Sequence, residues 1–185
     1  MLRERAVLDF LATVAERGTT DAEYLRRPHD LAAWAVQARV LTEPVPVTLG
    51  DLAQAVALRE AMYRLLDALI DGTPLPAADR DAVNAAVRHA LPVRQLTSSG
   101  TVTRTGTIDA VLASLAADCL ELYDSPDRQL LRRCDDPTCT RLYLDRSRGR
   151  RRRWCDMKGC GDRAKAAAYR RRHGDTATAS APRSA

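Results

Sequence analysis

The sequence predicts a mainly α-helical N-terminal domain with a small β-hairpin. A small α+β zinc module of treble-clef or zinc-ribbon-like type follows it at the C-terminus. Three observations predict this. Apolar residues recur at helical spacing through most of the first 128 residues. Four of the five cysteines form two C-x4-C pairs between Cys134 and Cys160. Charge is segregated: residues 1–130 carry 13 Arg against 18 Asp and Glu, a net of −5, while residues 131–174 carry 13 Arg and 2 Lys against 5 Asp, a net of +10. The 185 residues suffice for one domain plus a small module. We divide them into a helical domain over 1–128, a zinc finger over 129–173 and a disordered tail over 174–185. With 45% hydrophobic and 29% charged residues, the chain is neither a disordered tail nor a membrane protein. No apolar run is long enough to span a bilayer and no signal peptide opens the chain. A cytoplasmic protein is expected, nucleoid-associated if it binds DNA.

The elements follow in order. Val7, Leu8, Phe10, Leu11 and Val14 make a helical stripe from Leu2 to about Arg17. Pro28-His29-Asp30 opens a second helix to about Val40, with Asp30 as its cap. Pro44 and Pro46 break the chain, and Thr48 with Asp51 reads as a variant capping box. It starts the longest helix, about Leu49 to Asp71, which Gly72 and Pro74 end. Another helix runs from about Ala77 to Ala90. The Thr-rich stretch Val93 to Thr107, broken by Ser-Gly, predicts a hairpin. A last helix of this domain, about Ile108 to Tyr123, puts Ile108, Val111, Leu112, Leu115, Cys119 and Leu120 on one face, so Cys119 is expected in the core.

Cys134, Cys139, Cys155 and Cys160 read as one structural zinc site of four thiolates, rather than disulfides or unrelated thiols. An iron–sulfur cluster is the alternative use of four cysteines. So small a module needs a staple, and a metal supplies it. Between the pairs, Arg141 to Asp145 reads as a short strand and Arg152 to Trp154 as its returning partner. Asp162 to Arg172 reads as a helix, so the second cysteine pair sits at a helix start. Zinc with four thiolates would lower the module's charge from +10 to about +8.

Cys134-x4-Cys139, Tyr143-Leu144-Asp145, Ser147, Arg153-Trp154-Cys155-Asp156-Met157, Cys160-Gly161-Asp162-Arg163, Lys165 and Tyr169-Arg170 resemble the CGNR zinc finger. Upstream, Leu8-Asp9-Phe10, Pro28-His29-Asp30-Leu31 with Trp34, and Leu58-Arg59-Glu60-Ala61 resemble the ABATE domain that commonly precedes it. The resemblance covers about residues 5–172 and implies a transcription regulator of the stress response or a zinc-ribbon-like nucleic-acid binder. Two positions depart from the family: its signature Asn is Asp162 here, and its Asn after Leu8-Asp9-Phe10 falls near Ala12. Asp162 is read as a helix cap in preference to a base contact.

The candidate nucleic-acid contacts are Arg146, Arg148, Arg150, Arg151, Arg152 and Arg153 on the hairpin, Lys158, and Arg163, Lys165, Arg170, Arg171 and Arg172 on the helix. Two basic elements on one metal-held scaffold favour a polyanion over a merely solvated charged face. DNA is the expected polymer and RNA the alternative. Docking of an acidic protein is a second reading. Trp154 and Tyr169 are expected to pack beside the zinc ligands rather than stack on bases. Arg59 falls in the apolar arc of the longest helix, so it must be paired. An ion pair with a residue such as Asp9 or Asp30 is expected; an unknown small anionic ligand is the alternative. His29, His89 and His173 are scattered and no catalytic set is visible, so no enzyme is expected. A homodimer would help so small a finger reach useful specificity.

Overall fold

The computed structural model describes residues 5–174. The fold class is the one the sequence predicts, mainly helical with small antiparallel strand pairs and a cysteine module at the C-terminus. The order is α1 (Ala6–Leu11), β1 (Val14–Ala15), β2 (Ala22–Glu23), α2 (Pro28–Gln37), α3 (Leu49–Asp71), α4 (Ala77–Ala86), β3 (Val93–Leu96), β4 (Val102–Thr105) and α5 (Ile108–Asp124). A 3-10 turn (Pro126–Leu130) leads to β5 (Leu131–Arg133) and β6 (Leu142–Leu144). A π-helical turn (Met157–Gly161) then runs into α6 (Asp162–Gly174). The expected disordered tail lies, beyond Gly174, outside the described residues. No helix of the described residues is long and apolar enough to cross a membrane.

Local chemistry sets most helix ends. At the start of α3 the Thr48 hydroxyl accepts from the Asp51 amide at 3.1 Å, and the Asp51 carboxylate accepts from the Thr48 amide at 2.8 Å. These satisfy donors that a helix start otherwise leaves open. Gly72 ends the same helix at φ +65, a left-handed conformation that glycine takes without strain.

Three boundaries differ from the sequence reading. α1 stops at Leu11, because the Thr13 hydroxyl donates to the Phe10 carbonyl at 2.7 Å and the chain turns into the β1–β2 pair. A β-branched hydroxyl residue offers the backbone this alternative to the helix. α2 ends at Gln37, since the Val40 and Leu41 amides both turn back to the Ala35 carbonyl, at 2.9 and 3.1 Å. Asp30 sits in its first turn rather than at the cap, accepting from the Arg26 and Arg27 amides at 2.9 and 2.8 Å. α4 ends at Ala86, where Arg88 and His89 tighten into a turn ahead of Pro92.

The main core gathers Phe10 and Leu11 of α1, Leu31 of α2, Met62 and Leu66 of α3, and Val111, Leu112, Leu115 and Leu122 of α5. It does not end with the helices. Leu131 of β5 and Leu142 and Leu144 of β6 belong to the same buried cluster, and Leu144 is 0% exposed. Arg133 ties this hairpin to α3 through Asp67 at 2.5 Å and Asp71 at 2.6 Å. The Thr140 hydroxyl accepts from the Arg17 amide at 3.1 Å.

Because the hairpin completes the helical core, Leu144→Ala should lower global stability by about 2–5 kcal/mol, the usual cost of emptying a buried leucine site. Urea unfolding followed by helical circular dichroism and by zinc release checks this. The two signals should shift together in one transition; separate midpoints would mean that finger and helices fold independently.

Candidate metal centre and basic surface

The first cysteine pair sits on the connection between β5 and β6, and the second flanks the entry to α6. In the knuckle after β5, the Asp136 carboxylate accepts from the Thr138 amide at 3.1 Å and its hydroxyl at 2.9 Å, and the Cys139 amide donates to the Asp136 carbonyl at 2.9 Å. The Asp156 side chain caps the π-helical turn by accepting from the Lys158 amide at 3.3 Å. The ligand sulfurs of Cys134, Cys139, Cys155 and Cys160 all lie within 4.8 Å of one another. Cys139 and Cys155 are 3.7 Å apart, and Cys155 and Cys160 are 3.6 Å apart. A tetrahedral zinc with four thiolates requires sulfur separations of about 3.8 Å, so the cluster has the size of that site.

The thiols also need a cation. The Cys139 thiol is drawn down, first by its hydrogen bond with Cys155. Cys155 is pushed up, first by that bond and then by burial, and Cys160 is pushed up, first by burial. Four negative charges cannot share this volume alone, whereas a divalent ion lets all four ionise. The four cysteines are the site of one structural Zn2+. All four positions go to protein sulfur, which leaves none open for a substrate.

A second layer orients the ligands. The Cys155 amide donates to the Cys134 sulfur at 3.4 Å. The Arg163 guanidinium donates to the Cys160 sulfur at 3.0 Å and to the Asp136 carboxylate at 2.9 Å. Arg163, a candidate nucleic-acid contact from the sequence, therefore clamps α6 onto the first knuckle. Asp145 is 0% exposed. It accepts from the Ser147 amide and hydroxyl at 2.9 and 2.6 Å and from the Arg152 amide at 3.0 Å. Burial alone would raise its pKa, but these hydrogen bonds outweigh it and hold the carboxyl below its ordinary value.

The hairpin differs from expectation. β6 pairs with β5, in the register Leu131↔Leu144, Arg132↔Tyr143 and Arg133↔Leu142, and Arg152 to Trp154 form no strand. The returning segment is held by other bonds: Arg153 O accepts from the Asp135 amide at 2.8 Å, and the Tyr143 hydroxyl donates to the Arg152 carbonyl at 2.6 Å. The small second core consists of Cys134, Tyr143 and Cys160, with Trp154 packed against it. Trp154 is placed as expected. Tyr169 is not: it is 58% exposed and stacks on His173 at 4.1 Å. Tyr143 takes the buried role, and its place between two leucines of a strand was the available signal. Capping also falls elsewhere than expected, to Asp156, while Asp162 is exposed and accepts from Lys165 at 3.2 Å.

The candidate cations divide into two groups. Arg146 pairs with Asp127 at 2.8 Å, Arg153 with Asp135 at 2.7 Å, and Arg163 and Lys165 pair as described. Arg152 lies over the Tyr143 ring at 4.7 Å and donates to the Trp154 carbonyl at 2.8 Å and to the Cys155 carbonyl. Arg148, Arg150, Arg151, Lys158, Arg170, Arg171 and Arg172 are exposed, and none joins an ion pair among the described residues. Arg150 sits at the loop tip with φ +51.

Arg59 is 2% exposed and fully engaged, though not with Asp9 or Asp30. Glu23 holds it at 2.6 and 2.9 Å, Glu60 at 2.8 Å and the Thr13 hydroxyl at 3.0 Å. The missed partner, Glu23, arrives through the β1–β2 turn that replaces the end of the expected first helix. Cys119 is buried in the core, and that burial pushes its thiol up to about 12.

Residues 4–126 match the ABATE family model, described as "Putative stress-induced transcription regulator". Residues 130–173 match the model of the CGNR zinc finger. No curated protein gives a match to the chain.

Elemental analysis should find one zinc per chain, lost in Cys155→Ser. Arg163→Ala keeps all four ligands but removes a donor to Cys160, so zinc affinity measured by chelator competition should fall about 10–100-fold. Asp145 gives a pH signature. Its folded pKa is depressed, so its contribution is present above the unfolded value of about 3.9 and is lost as pH falls through the folded one. Asp145→Asn should therefore be less stable than the parent near neutral pH, and the gap should close on acidification below about pH 4 in denaturant titrations.

Proposed function

The chain belongs to the ABATE family, with a CGNR zinc finger after that domain, and from this premise we propose that it is a non-enzymatic regulator that grips nucleic acid through its finger. DNA is the favoured polymer, and the protein would work in the cytoplasm on the nucleoid. The helical domain would sense a ligand or form a dimer. The observation that carries the reading is the set of exposed cations that join no ion pair among the described residues: Arg148, Arg150 and Arg151 on the loop, and Arg170, Arg171 and Arg172 on α6. Like charges gathered on so small a scaffold repel one another, and a phosphate backbone relieves that repulsion.

The paired cations have another role in this reading. Arg152, Arg153 and Arg163 shape the module, so their loss would act through zinc and folding. The unpaired ones would make phosphate contacts, which supply affinity and orientation more than sequence preference.

Binding to duplex DNA across a salt series tests the proposal. The zinc-loaded chain should bind with a steep negative slope of log K against log salt. Arg148→Ala/Arg150→Ala/Arg151→Ala should keep its zinc and flatten that slope by up to about 0.9 per lost phosphate contact. An unchanged slope, or no binding at low salt by a zinc-loaded chain, would reject it; tighter binding to structured RNA would replace DNA with RNA.

A further inference from the structure

The helical domain holds a second set of unpaired arginines, far along the sequence from the finger. Arg39, Arg94 and Arg104 line one cavity of about 520 Å³, with Leu91, Pro92 and Val40 among its walls. Among the described residues none of the three arginines joins an ion pair, and no acidic side chain lines the cavity. This is unusual in a domain whose net charge is −5.

Two features show that the arrangement is built. Arg94 and Arg104 are directly paired across the β3–β4 ribbon. Directly opposed residues have Cβ atoms about 5 Å apart, and like charges there destabilise a hairpin. Arg39 sits at φ +54, a left-handed conformation that costs a non-glycine residue strain. The frame around both is firm. The Thr42 amide donates to the Arg104 carbonyl at 2.9 Å, and the Arg104 amide donates to the Thr42 hydroxyl at 2.7 Å, which locks the loop after α2 onto β4. At the ribbon's base a side chain on Gly106 would meet Ala110 at 3.0 Å and Pro92 at 3.4 Å, so the ribbon is seated closely on α5. The scaffold thus places three arginines at one cavity at a cost in repulsion and strain, with no acidic lining residue among the described residues to offset it.

We infer that this cavity, lined by Arg39, Arg94 and Arg104, binds a small organic phosphate: a phosphoryl group held by the arginines and a compact apolar body against Leu91, Pro92 and Val40. Guanidinium forks match phosphate oxygens bidentately, and three of them suit a dianion. The volume lies in the range of small-ligand sites. The site supplies a concrete ligand class for the sensing domain proposed above. Its binding step stands without that reading, because it is measured with no nucleic acid present.

Calorimetric titration of the full zinc-loaded chain with phenyl phosphate tests it, with inorganic phosphate and benzyl alcohol as comparison probes. Phenyl phosphate should bind saturably at one site and raise the unfolding midpoint. Inorganic phosphate should bind at least tenfold more weakly, and benzyl alcohol not at all. Arg94→Gln/Arg104→Gln should weaken phenyl phosphate at least tenfold while keeping zinc content and helicity. Arg39→Gly relieves the backbone strain and removes one fork, so it should weaken binding without loss of stability. No saturable binding of phenyl phosphate, equal binding of inorganic phosphate, or binding unaffected by Arg94→Gln/Arg104→Gln would each overturn the assignment. Loss of binding in Arg148→Ala/Arg150→Ala/Arg151→Ala would also overturn it, by moving the anion to the finger.

Discussion

Four sulfurs within 4.8 Å of one another form the constraint on which the C-terminal module depends. They cannot all ionise without a cation, and they cannot all stay protonated once one arrives. The module around them has almost no apolar interior, only Tyr143 and Trp154 beside the thiols. Its second layer then follows from the ligand set. Arg163 donates to the Cys160 sulfur and reaches Asp136, so the last helix cannot rotate freely against the first knuckle. Asp145 holds Ser147 and the Arg152 amide, which fixes both ends of the arginine loop. Loop and helix are thus presented by a metal-held frame rather than by packing.

That frame is not a pendant. Leu131, Leu142 and Leu144 sit in the helical core, and Arg133, Thr140 and Arg146 cross to Asp67, the Arg17 backbone and Asp127. Asp127 also receives Arg5, which reaches Asp118 of α5. A change in the packing of α1, α3 or α5 therefore meets the zinc module directly through side chains, with no flexible linker between. A buried seam of this kind transmits displacement, because packed interiors deform little.

Local signals were legible and distant ones were not. Thr48, Asp51 and Gly72 specify both ends of α3 by contacts within a turn of themselves, so both ends are legible from residue type and spacing. The cysteine spacing specified the metal site for the same reason. The end of α1 was misread because the apolar stripe continues through Val14, while what bends the chain is the Thr13 hydroxyl and what rewards the bend is Arg59, far along the sequence. Likewise Leu131–Arg133 and Arg152–Trp154 are comparable strand candidates on residue type, and only the core's demand for Leu131 chooses between them. Tyr143 and Tyr169 are the same residue in adjacent elements; strand direction buries one and leaves the other on the open face of α6.

Arginine shows most plainly what composition leaves undecided. A count cannot separate Arg59, enclosed by Glu23 and Glu60, from Arg150 at an open loop tip. Partnership separates them. Where a carboxylate lies within reach, the cation is spent on structure, as with Arg5, Arg59, Arg64, Arg133 and Arg163. Among the arginines that join no ion pair among the described residues, two sets differ in their setting. The finger's set is exposed, which suits a long anion that can wrap it and shed counterions. The set at Arg39, Arg94 and Arg104 lines a cavity of about 520 Å³ with apolar walls, a volume that suits a small anion. The net charge of −5 on the helical body disfavours a polyanion there relative to the finger. Under the two proposals, shape and charge would sort the two basic sets toward two different anions in one chain.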